Sequence, residues 1–158
     1  MGYTPKNEPF YFDLEDYEKI KDYCWSYNEN KYLLCRQKGN NHKQIRMHRL
    51  IMNALDGQEV DHKNHITFDN RKNNLRICTS SQNSMNKSNL KVSGSRVVGV
   101  FMEKQAKGIK WIARIRTDNK QIVIGRFENF EDAVLARKNA EIKYFGEFAY
   151  NKELDLRL

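Results

Sequence analysis

EVDHKNHITFDNRKNNLRICTSSQN, residues 59–83, decides the fold, because it crowds Asp, His and Asn between short apolar groups. Val60 forms one apolar group, and Leu75 with Ile77 forms the other. Short polar side chains at this density are typical of a turn-rich surface loop, and DNRKNN alone favours a solvated turn. The same side chains supply the oxygen and imidazole ligands of metal sites. The composition by itself leaves both interpretations open.

The local pattern predicts two strands and a helix. EVDH and LRIC have the length and composition of short strands, and the polar residues between them form a loop. Thr79-Ser80-Ser81-Gln82 is a capping-box pattern, which predicts that a helix begins there and carries Asn83. Carboxylate and amide oxygens suit Mg²⁺ or Mn²⁺, and an imidazole beside such an ion can act as a general base. The hairpin and helix would bring together four polar residues, Asp61, His62, Asn74 and Asn83.

VDHKN…DNRKNNLRICTSSQN, preceded by MHRLIM, resembles the HNH endonuclease family. The resemblance is to the Asn-ending variant of phage and intron-encoded homing endonucleases, and it implies a ββα-metal finger. By this resemblance His62 activates water, Asn74 orients the histidine, and Asp61 and Asn83 bind one Mg²⁺ or Mn²⁺ per active site. Many members have His where this chain has Asn83, and the amide keeps an oxygen ligand.

Other polar residues near this motif have simpler interpretations. His48, beside an apolar helical segment, is expected to be a packing or hydrogen-bonding histidine. Arg71 and Arg76 are candidate phosphate contacts, and salt bridges to carboxylates such as Asp69 are the alternative. Leu75 and Ile77 are expected in the core.

Residues 10–45 read as a small mixed module. Leu14, Tyr17 and Ile20 recur at helical spacing, with Asp13 as the expected cap. CWSY and KYLLCR are predicted strands. QIRMHRLIMNAL is predicted to run from a strand end into a helix that Asp56-Gly57 ends.

The C-terminal part reads as a second unit behind a polar, basic linker. RVVGVFME, KWIARIRT and KQIVIGRF are predicted to form a three-stranded antiparallel meander. NFEDAVLARKNAEIKYFG is predicted to be a helix capped by Asn129, ended by Gly146, and packed through Ala133, Ala136 and Ala140. The opposite face of the sheet would then present its arginines to a ligand.

This C-terminal unit resembles the APETALA-type domain of plant ethylene-response transcription factors, which also occurs fused to HNH endonucleases. The landmarks are GV, W-x-A-x-I, IG-x-F, the alanine-rich helix and a final FG…N. The resemblance implies a sheet that enters the DNA major groove, with Arg116 as a base or phosphate contact. Arg96 lies near a second contact, and Arg114 replaces a glutamate of the plant members. Phe101 stands where an arginine is common, so the plant target sequence does not transfer.

Charge is unevenly distributed along the 158 residues, whose net charge is +8. Residues 1–41 contain six Lys and Arg against seven Asp and Glu, whereas residues 42–92 contain nine against four and residues 93–151 eleven against seven. The basic excess favours a polyanionic partner, and a merely soluble basic protein is the alternative. No run approaches the ~20 apolar residues of a membrane span, and MGYTPKNEPF lacks a signal-peptide core. Three scattered cysteines indicate a reducing, cytoplasmic setting, in a bacterium or in the host of a phage.

The sequence therefore predicts an α+β protein with two functional parts. Residues 1–88 would hold the N-terminal module and the HNH domain, with the HNH core at 46–88. Residues 89–95 would be a linker, 96–151 the DNA-binding domain and 152–158 a tail. The expected activity is metal-dependent hydrolysis of double-stranded DNA, without a small-molecule cofactor or a membrane. A DNA-binding regulator with an inert HNH finger and an RNA-acting nuclease are the alternatives.

Overall fold

A computed structural model describes residues 1–36, 44–86, 97–105, 108–117 and 120–150 of the chain. The predicted linker, the tail and Arg96 lie outside these residues. Internal contacts divide the chain into two units, residues 1–84 and 85–150, and each is described by itself. Both units combine small antiparallel sheets with helices, which confirms the α+β class. No helix in the described ranges is long and apolar enough to cross a membrane.

The first unit contains three small antiparallel sheets and three short helices. A 3₁₀ turn at Leu14–Asp16 leads into the first of these helices. In chain order the elements are β1 (Gly2–Tyr3), β2 (Pro9–Phe10), α1 (Tyr17–Ile20), β3 (Ser26–Tyr27), β4 (Leu33–Arg36), β5 (Gln44–Arg46), α2 (Met47–Ile51), β6 (Glu59–His62), β7 (Leu75–Cys78) and α3 (Ser80–Met85). β1 pairs with β2, β4 lies between β3 and β5, and β6 pairs with β7.

One predicted helix boundary is wrong, and one predicted cap bond is absent. Asp13 occupies the N-cap position of the first helical turn, but its side chain makes no cap bond; its carboxylate accepts a hydrogen bond from the backbone N–H of Lys72 at 2.7 Å. The helix α2 ends at Ile51 and not at Asp56-Gly57, since the chain turns at Asn53, whose φ is 49°.

One hydrophobic core joins the N-terminal module to the hairpin that follows it. Its buried members before β5 are Phe10, Ile20, Trp25, Leu33 and Cys35, and those after it are Met47, Ile51, Val60 and Leu75. Each such side chain stabilises the fold by roughly 1.5–3 kcal/mol. The β6–β7 hairpin and α2 therefore share their core with residues 10–35. Ile77, expected in the core, is 41% exposed.

The predicted strands of the hairpin and the capping box after them are confirmed. In the antiparallel register Asp61 lies opposite Arg76, and His62 lies opposite Leu75. The backbone N–H of Thr79 donates to Gln82 Oε1 at 2.9 Å, and the N–H of Gln82 donates to Thr79 Oγ1 at 3.2 Å. These reciprocal bonds begin α3 directly after β7.

The second unit is an antiparallel meander with one long helix. Its elements are β8 (Val100–Gln105), β9 (Gly108–Thr117), β10 (Lys120–Phe127) and α4 (Phe130–Phe145), with β9 in the centre of the sheet. Gly146 ends α4 with φ 53°, as predicted. Asn129 occupies the predicted N-cap position without a side-chain cap bond, and its Nδ2 donates to Asp132 Oδ2 at 3.2 Å.

The core of this unit lies between the sheet and α4. Val100, Ala113 and Ala133 are fully buried there, and the ring of Trp111 packs edge-on against Phe130, with 4.8 Å between ring centroids. Ala140 is also buried, whereas Ala136 is half-buried. No sequence pattern indicated Arg137, a buried arginine whose Nε donates to the carbonyl of Val98 at 3.1 Å.

Candidate active site

The pleat of β6 divides its four side chains between two faces. Because successive side chains in a strand alternate, Glu59 and Asp61 lie on one face and Val60 and His62 on the other. Val60 belongs to the hydrophobic core, so His62 at the same face is directed into the interior beside it. Asp61 and His62 are therefore adjacent in sequence, but their side chains lie on opposite faces of β6.

Asp61 is held by the residue directly across the hairpin. Arg76 donates to Asp61 Oδ2 from Nε at 2.9 Å and from Nη2 at 2.7 Å. Both side chains are largely buried, with 8% of the Asp61 side chain and 10% of the Arg76 side chain exposed. These two charge-assisted bonds fix the orientation of the buried carboxylate.

Asn83 reaches the same face of β6 from the helix α3. Its Nδ2 donates to a carboxylate oxygen of Glu59, two residues before Asp61. This bond orients the amide by its nitrogen, so the amide oxygen is left as the atom for another interaction. Glu59 was not among the predicted site residues. Its position two residues before Asp61 in a strand is the sequence signal that could have identified it.

His62 is 4% exposed and lies among two other rings. Its ring centroid is 5.7 Å from that of Tyr32 and 5.2 Å from that of His48. Burial lowers the pKa of His62 to about 4, against the opposing effects of a hydrogen bond to Asn70 and the charge of Asp61. The imidazole is therefore neutral at pH 7, the form that can accept a proton.

His48 is a packing histidine, as predicted. It is 3% exposed, and burial lowers the pKa of its ring to about 3. Its Nδ1 has no hydrogen-bond partner among the described residues. Its edge contact with His62 nevertheless brings it against a candidate catalytic residue, which its place in MHRLIM did not indicate.

Asn74 stabilises the loop between the two strands of the hairpin. Its Nδ2 donates to the backbone carbonyl of Asp69 at 2.8 Å, and its Oδ1 accepts from the backbone N–H of Asn64 at 3.0 Å. The side-chain contact to His62 comes instead from Asn70, whose Oδ1 lies 3.4 Å from His62 Nε2. That Asn74 orients His62 stays a prediction. Through the loop it can do so only indirectly.

The DNRKNN segment is not the solvated turn that its composition favours. Asp69 and Asn70 are at most 1% exposed. Asp69 accepts from Asn64 at 3.2 Å and from Arg71 through both carboxylate oxygens at 2.7 Å. Burial raises the pKa of Asp69, and the hydrogen bonds and charge of Arg71 offset this, so the pKa lies below its usual value. Buried polar groups must find partners, and here they find them within the loop.

The five predicted DNA-contacting arginines are in different situations. Arg71 and Arg76 each bind a carboxylate, of Asp69 and Asp61 respectively. In the second unit Arg116 is exposed, and the guanidinium of Arg114 lies 5.8 Å from the centroid of the Phe101 ring. Arg96 lies outside the described residues. A role for any of them in DNA binding stays a prediction.

An open groove of about 880 Å³ runs along the first unit beside these residues. Asn83, Glu59 and His48 contribute to its lining, together with Arg46 and Arg49. Asp61 and His62 do not line it. The groove thus reaches the candidate site through Asn83 and Glu59.

The candidate metal ligands are one carboxylate and one amide. Within the described ranges no three His, Cys, Asp or Glu side chains cluster in the manner of a metal site. The candidate pair of Asp61 and Asn83 falls outside that description, because Asn83 contributes an amide and not a His, Cys, Asp or Glu side chain. The donor chemistry fits Mg²⁺ or Mn²⁺, because both groups offer hard oxygens and Asn83 is bound through its nitrogen.

Comparison with known proteins gives one match. Residues 46–85 match the family model of the HNH endonuclease, and this segment contains α2, β6, β7 and α3. No curated protein matches the chain, and no solved structure matches it. The family implies a DNA substrate and generally uses a divalent metal ion. The match to residues 46–85 therefore supports a nuclease of the HNH type, a hydrolase that acts on DNA.

Proposed function

We propose that the chain is a divalent-metal-dependent endonuclease that hydrolyses phosphodiester bonds in double-stranded DNA. The observation that carries the proposal is the β6–β7–α3 arrangement within the matched segment. It places a neutral, buried histidine next to an aspartate held by Arg76, and an amide from the helix on the aspartate's side of the strand. Homing-type or free-standing phage endonucleases are the group that the motif resembles.

His62 is the proposed general base. It takes a proton from a water molecule, whose oxygen attacks phosphorus while the bond from phosphorus to the 3′ oxygen breaks. The products carry a 5′ phosphate and a 3′ hydroxyl. A negatively charged phosphodiester near His62 would raise its pKa from the low value that burial imposes, which strengthens the base when substrate is bound.

Asp61 and Asn83 are the proposed ligands of Mg²⁺ or Mn²⁺. Such an ion, when bound, would neutralise negative charge on the phosphate and on the leaving oxygen. Arg76 orients the Asp61 carboxylate, and Glu59 orients the Asn83 amide. These two hydrogen-bond partners orient the candidate ligands, as hydrogen bonds to ligands generally do in metal sites.

The second unit is the proposed DNA reader. Its described strands and the residue after them carry Lys104, Lys110, Arg114, Arg116, Lys120 and Arg126, against Glu103 and Glu128. Lys110 pairs with Glu128 and Arg126 with Glu103, whereas Arg116 is exposed. An exposed basic sheet face is complementary to a phosphate backbone. The resemblance to APETALA-type domains supports the major groove as its target.

The decisive experiment compares the wild-type chain with His62→Ala. Because His62 supplies the base and the sheet supplies affinity, the variant should lose cleavage by at least about 10²-fold and keep its DNA affinity. Cleavage is measured on labelled duplexes with Mg²⁺, and binding by gel shift with Ca²⁺ or EDTA. Equal loss of cleavage and binding would remove His62 from the role of base.

A DNA-binding regulator with an inert HNH finger is the second candidate. The observation that favours it is that Arg76 and Glu59 already engage the two candidate metal ligands. Plasmid and duplex libraries incubated with and without Mg²⁺ or Mn²⁺ separate the two functions. Sequence-selective binding without nicked or linear product in any metal would establish the regulator.

A further inference from the structure

Two side chains that line the groove of the first unit have hydrogen-bond donors available to a ligand. They are Tyr32, which directly precedes β4, and Arg46, the last residue of β5. Arg46 is exposed, and no ion pair or hydrogen bond joins its guanidinium to any residue that the structure describes. Among the same residues the hydroxyl of Tyr32 has no hydrogen-bond partner either. A guanidinium and a phenol are both donors toward an anion.

The two donors lie near each other and near the candidate metal ligand Asp61. Burial raises the pKa of the Tyr32 phenol above its ordinary value of 10.0, the charge of Asp61 raises it further, and the charge of Arg46 lowers it. The phenol is thus within electrostatic reach of both residues. Because its pKa is raised, the Tyr32 hydroxyl keeps its proton at pH 7 and can donate it in a hydrogen bond.

Tyr32 is held in place by its ring and by its backbone. The ring lies against those of His48 and His62, with centroids 5.4 and 5.7 Å away. The backbone N–H of Tyr32 donates to Asn28 Oδ1 at 2.9 Å, and its carbonyl accepts from the N–H of Asn28 at 3.0 Å. The hydroxyl is therefore presented to the groove without further ordering of the side chain. Tyr32 precedes the segment that matches the HNH family, so the N-terminal module supplies it.

The other arginines near the site already bind protein groups. Arg49 also lines the groove, but its guanidinium donates to backbone carbonyls of the segment after α2. Arg71 and Arg76, the predicted phosphate contacts of this unit, each bind a carboxylate. Arg46 was not among the predicted contacts, and its charge is not neutralised by an ion pair within the described ranges.

The chemistry of the groove fits a phosphodiester. Arg46 offers a charged donor and the phenol a neutral one, and both kinds of group contact phosphate oxygens in DNA complexes. Asp56 and Glu59 also line the groove and would repel an anion. Positive charge on both sides offsets that repulsion: Arg46 supplies one, and a divalent ion at Asp61 and Asn83 would supply the other.

We propose that Arg46 and Tyr32 together bind one phosphate of the DNA backbone in this groove, beside the candidate metal ligand Asn83. The identity of the ligand as duplex DNA rests on the proposed nuclease function. Binding at this site does not require cleavage, so the two proposals can fail separately. Phosphate contacts position the duplex without reading its sequence, so the pair would act on any target.

The first test is the affinity of the full-length chain for a labelled duplex of mixed sequence, measured with Ca²⁺ across a salt titration. Arg46→Ala should weaken binding and lower the number of ions released on binding by about one. Lys6→Ala removes the same charge from an exposed residue that does not line the groove, and it should leave the affinity unchanged. Equal effects of the two substitutions would overturn the proposal. Circular dichroism checks folding, and Arg46→Gln replaces Arg46→Ala if that variant is unfolded.

A second pair of variants tests the phenol hydroxyl. Tyr32→Phe keeps the ring that packs on the two histidines and should weaken binding about 10-fold. Tyr17→Phe removes a hydroxyl from an exposed tyrosine of α1 and should have no effect. If both groups hold one phosphate, the double variant of Arg46 and Tyr32 should lose less affinity than the two single losses combined. Wild-type affinity in Tyr32→Phe, or strictly independent losses, would overturn a shared phosphate.

Cleavage kinetics separate this proposal from the nuclease proposal. A phosphate contact made before and during cleavage stabilises both states, so Arg46→Ala should raise KM about 10-fold and leave kcat nearly unchanged. If the wild type cuts nothing but the variants lose affinity as expected, the nuclease proposal fails and the phosphate site stands. If the wild type cuts and the variants bind and cut equally well, the phosphate site fails. Losses seen with structured RNA and not with duplex DNA would overturn the assignment to DNA.

Discussion

Arg76 holds the carboxylate of a candidate metal ligand through a direct side-chain contact. It contributes two hydrogen bonds to the buried carboxylate of Asp61, opposite it in the hairpin. Removing one member of a buried ion pair leaves an uncompensated charge, which costs more than the pair itself contributes. The guanidinium is therefore required by Asp61, whether or not it also meets a phosphate.

We expect Arg76→Ala to lower the free energy of unfolding by about 3 kcal/mol, because it removes one member of a largely buried ion pair. Urea unfolding followed by circular dichroism measures the loss. Asp61→Asn in the same background should restore part of it, since the neutral amide needs no counter-charge. Strictly additive effects of the two substitutions would show that the pair is not coupled.

At the scale of elements, the hairpin and α3 depend on chain outside the segment that matches the HNH family. Five of the nine buried core residues of the first unit precede residue 46. Tyr11 and Asp13 bind the backbone of the loop at Phe68, Asn70 and Lys72. The N-terminal module therefore belongs to the same folded unit as the matched segment, because it completes the core and binds the backbone of the loop.

A fragment of residues 46–88 should consequently fail to fold, whereas residues 1–88 should fold. The shorter fragment keeps the polar motif but loses Phe10, Ile20 and Leu33 from the core. Dispersion of amide signals in ¹H–¹⁵N spectra distinguishes the two. Native-like dispersion in the 46–88 fragment would contradict the requirement for the residues that precede position 46.

The sheet of the second unit carries a prediction about DNA affinity. If its exposed face contacts phosphates, Arg116→Ala should weaken binding similarly for all DNA sequences. It should also lower the number of ions released on binding, measured from the salt dependence of the affinity, by about one. Lys138→Ala removes the same charge from an exposed position of α4 and is the matched control. Equal effects of the two substitutions across a salt titration would argue against a specific role of the sheet.

For the whole molecule, the two buried histidines link stability to pH. Burial lowers the pKa of His62 to about 4 and that of His48 to about 3, from 6.5. Between the ordinary pKa of histidine and these lowered pKa values, the unfolded chain binds more protons than the folded chain. Stability is therefore fully present above pH 6.5 and falls as the pH drops toward 4, by up to about 1.4 kcal/mol per unit for each histidine.

This dependence is checked by urea unfolding at several pH values from 4.5 to 7.5. His48→Phe keeps an aromatic ring in the packed position and removes one of the two titrating groups. It should therefore flatten the slope of stability against pH by about half. A slope identical to that of the wild type would show that His48 titrates normally in the folded chain.

The hairpin, the capping box and the C-terminal meander could be predicted from the sequence, because each depends on neighbours a few residues apart. EVDH, LRIC and the Thr79–Gln82 pair are such local signals, and the strands and bonds they predict are present. Asp13 and Asn129 occupy the predicted N-cap positions but make no side-chain cap bond, and their side chains bond to Lys72 and Asp132 respectively. Residue propensity indicates which side chain can cap a helix, but not which other groups compete for its hydrogen bonds.

The sequence by itself determined the chemistry of this protein: which residues could be base, ligand and charge, and that they lie on one hairpin and helix. Only the tertiary structure decided how they are held. The carboxylate of Glu59 on Asn83, the guanidinium of Arg76 on Asp61 and the amide of Asn70 at His62 are all side-chain contacts between separate segments. The burial of the loop is equally non-local, since it requires Tyr11 and Asp13 from the opposite end of the unit. Periodicity and motif spacing report neighbours along the chain, whereas burial and partner choice depend on what the rest of the chain brings alongside.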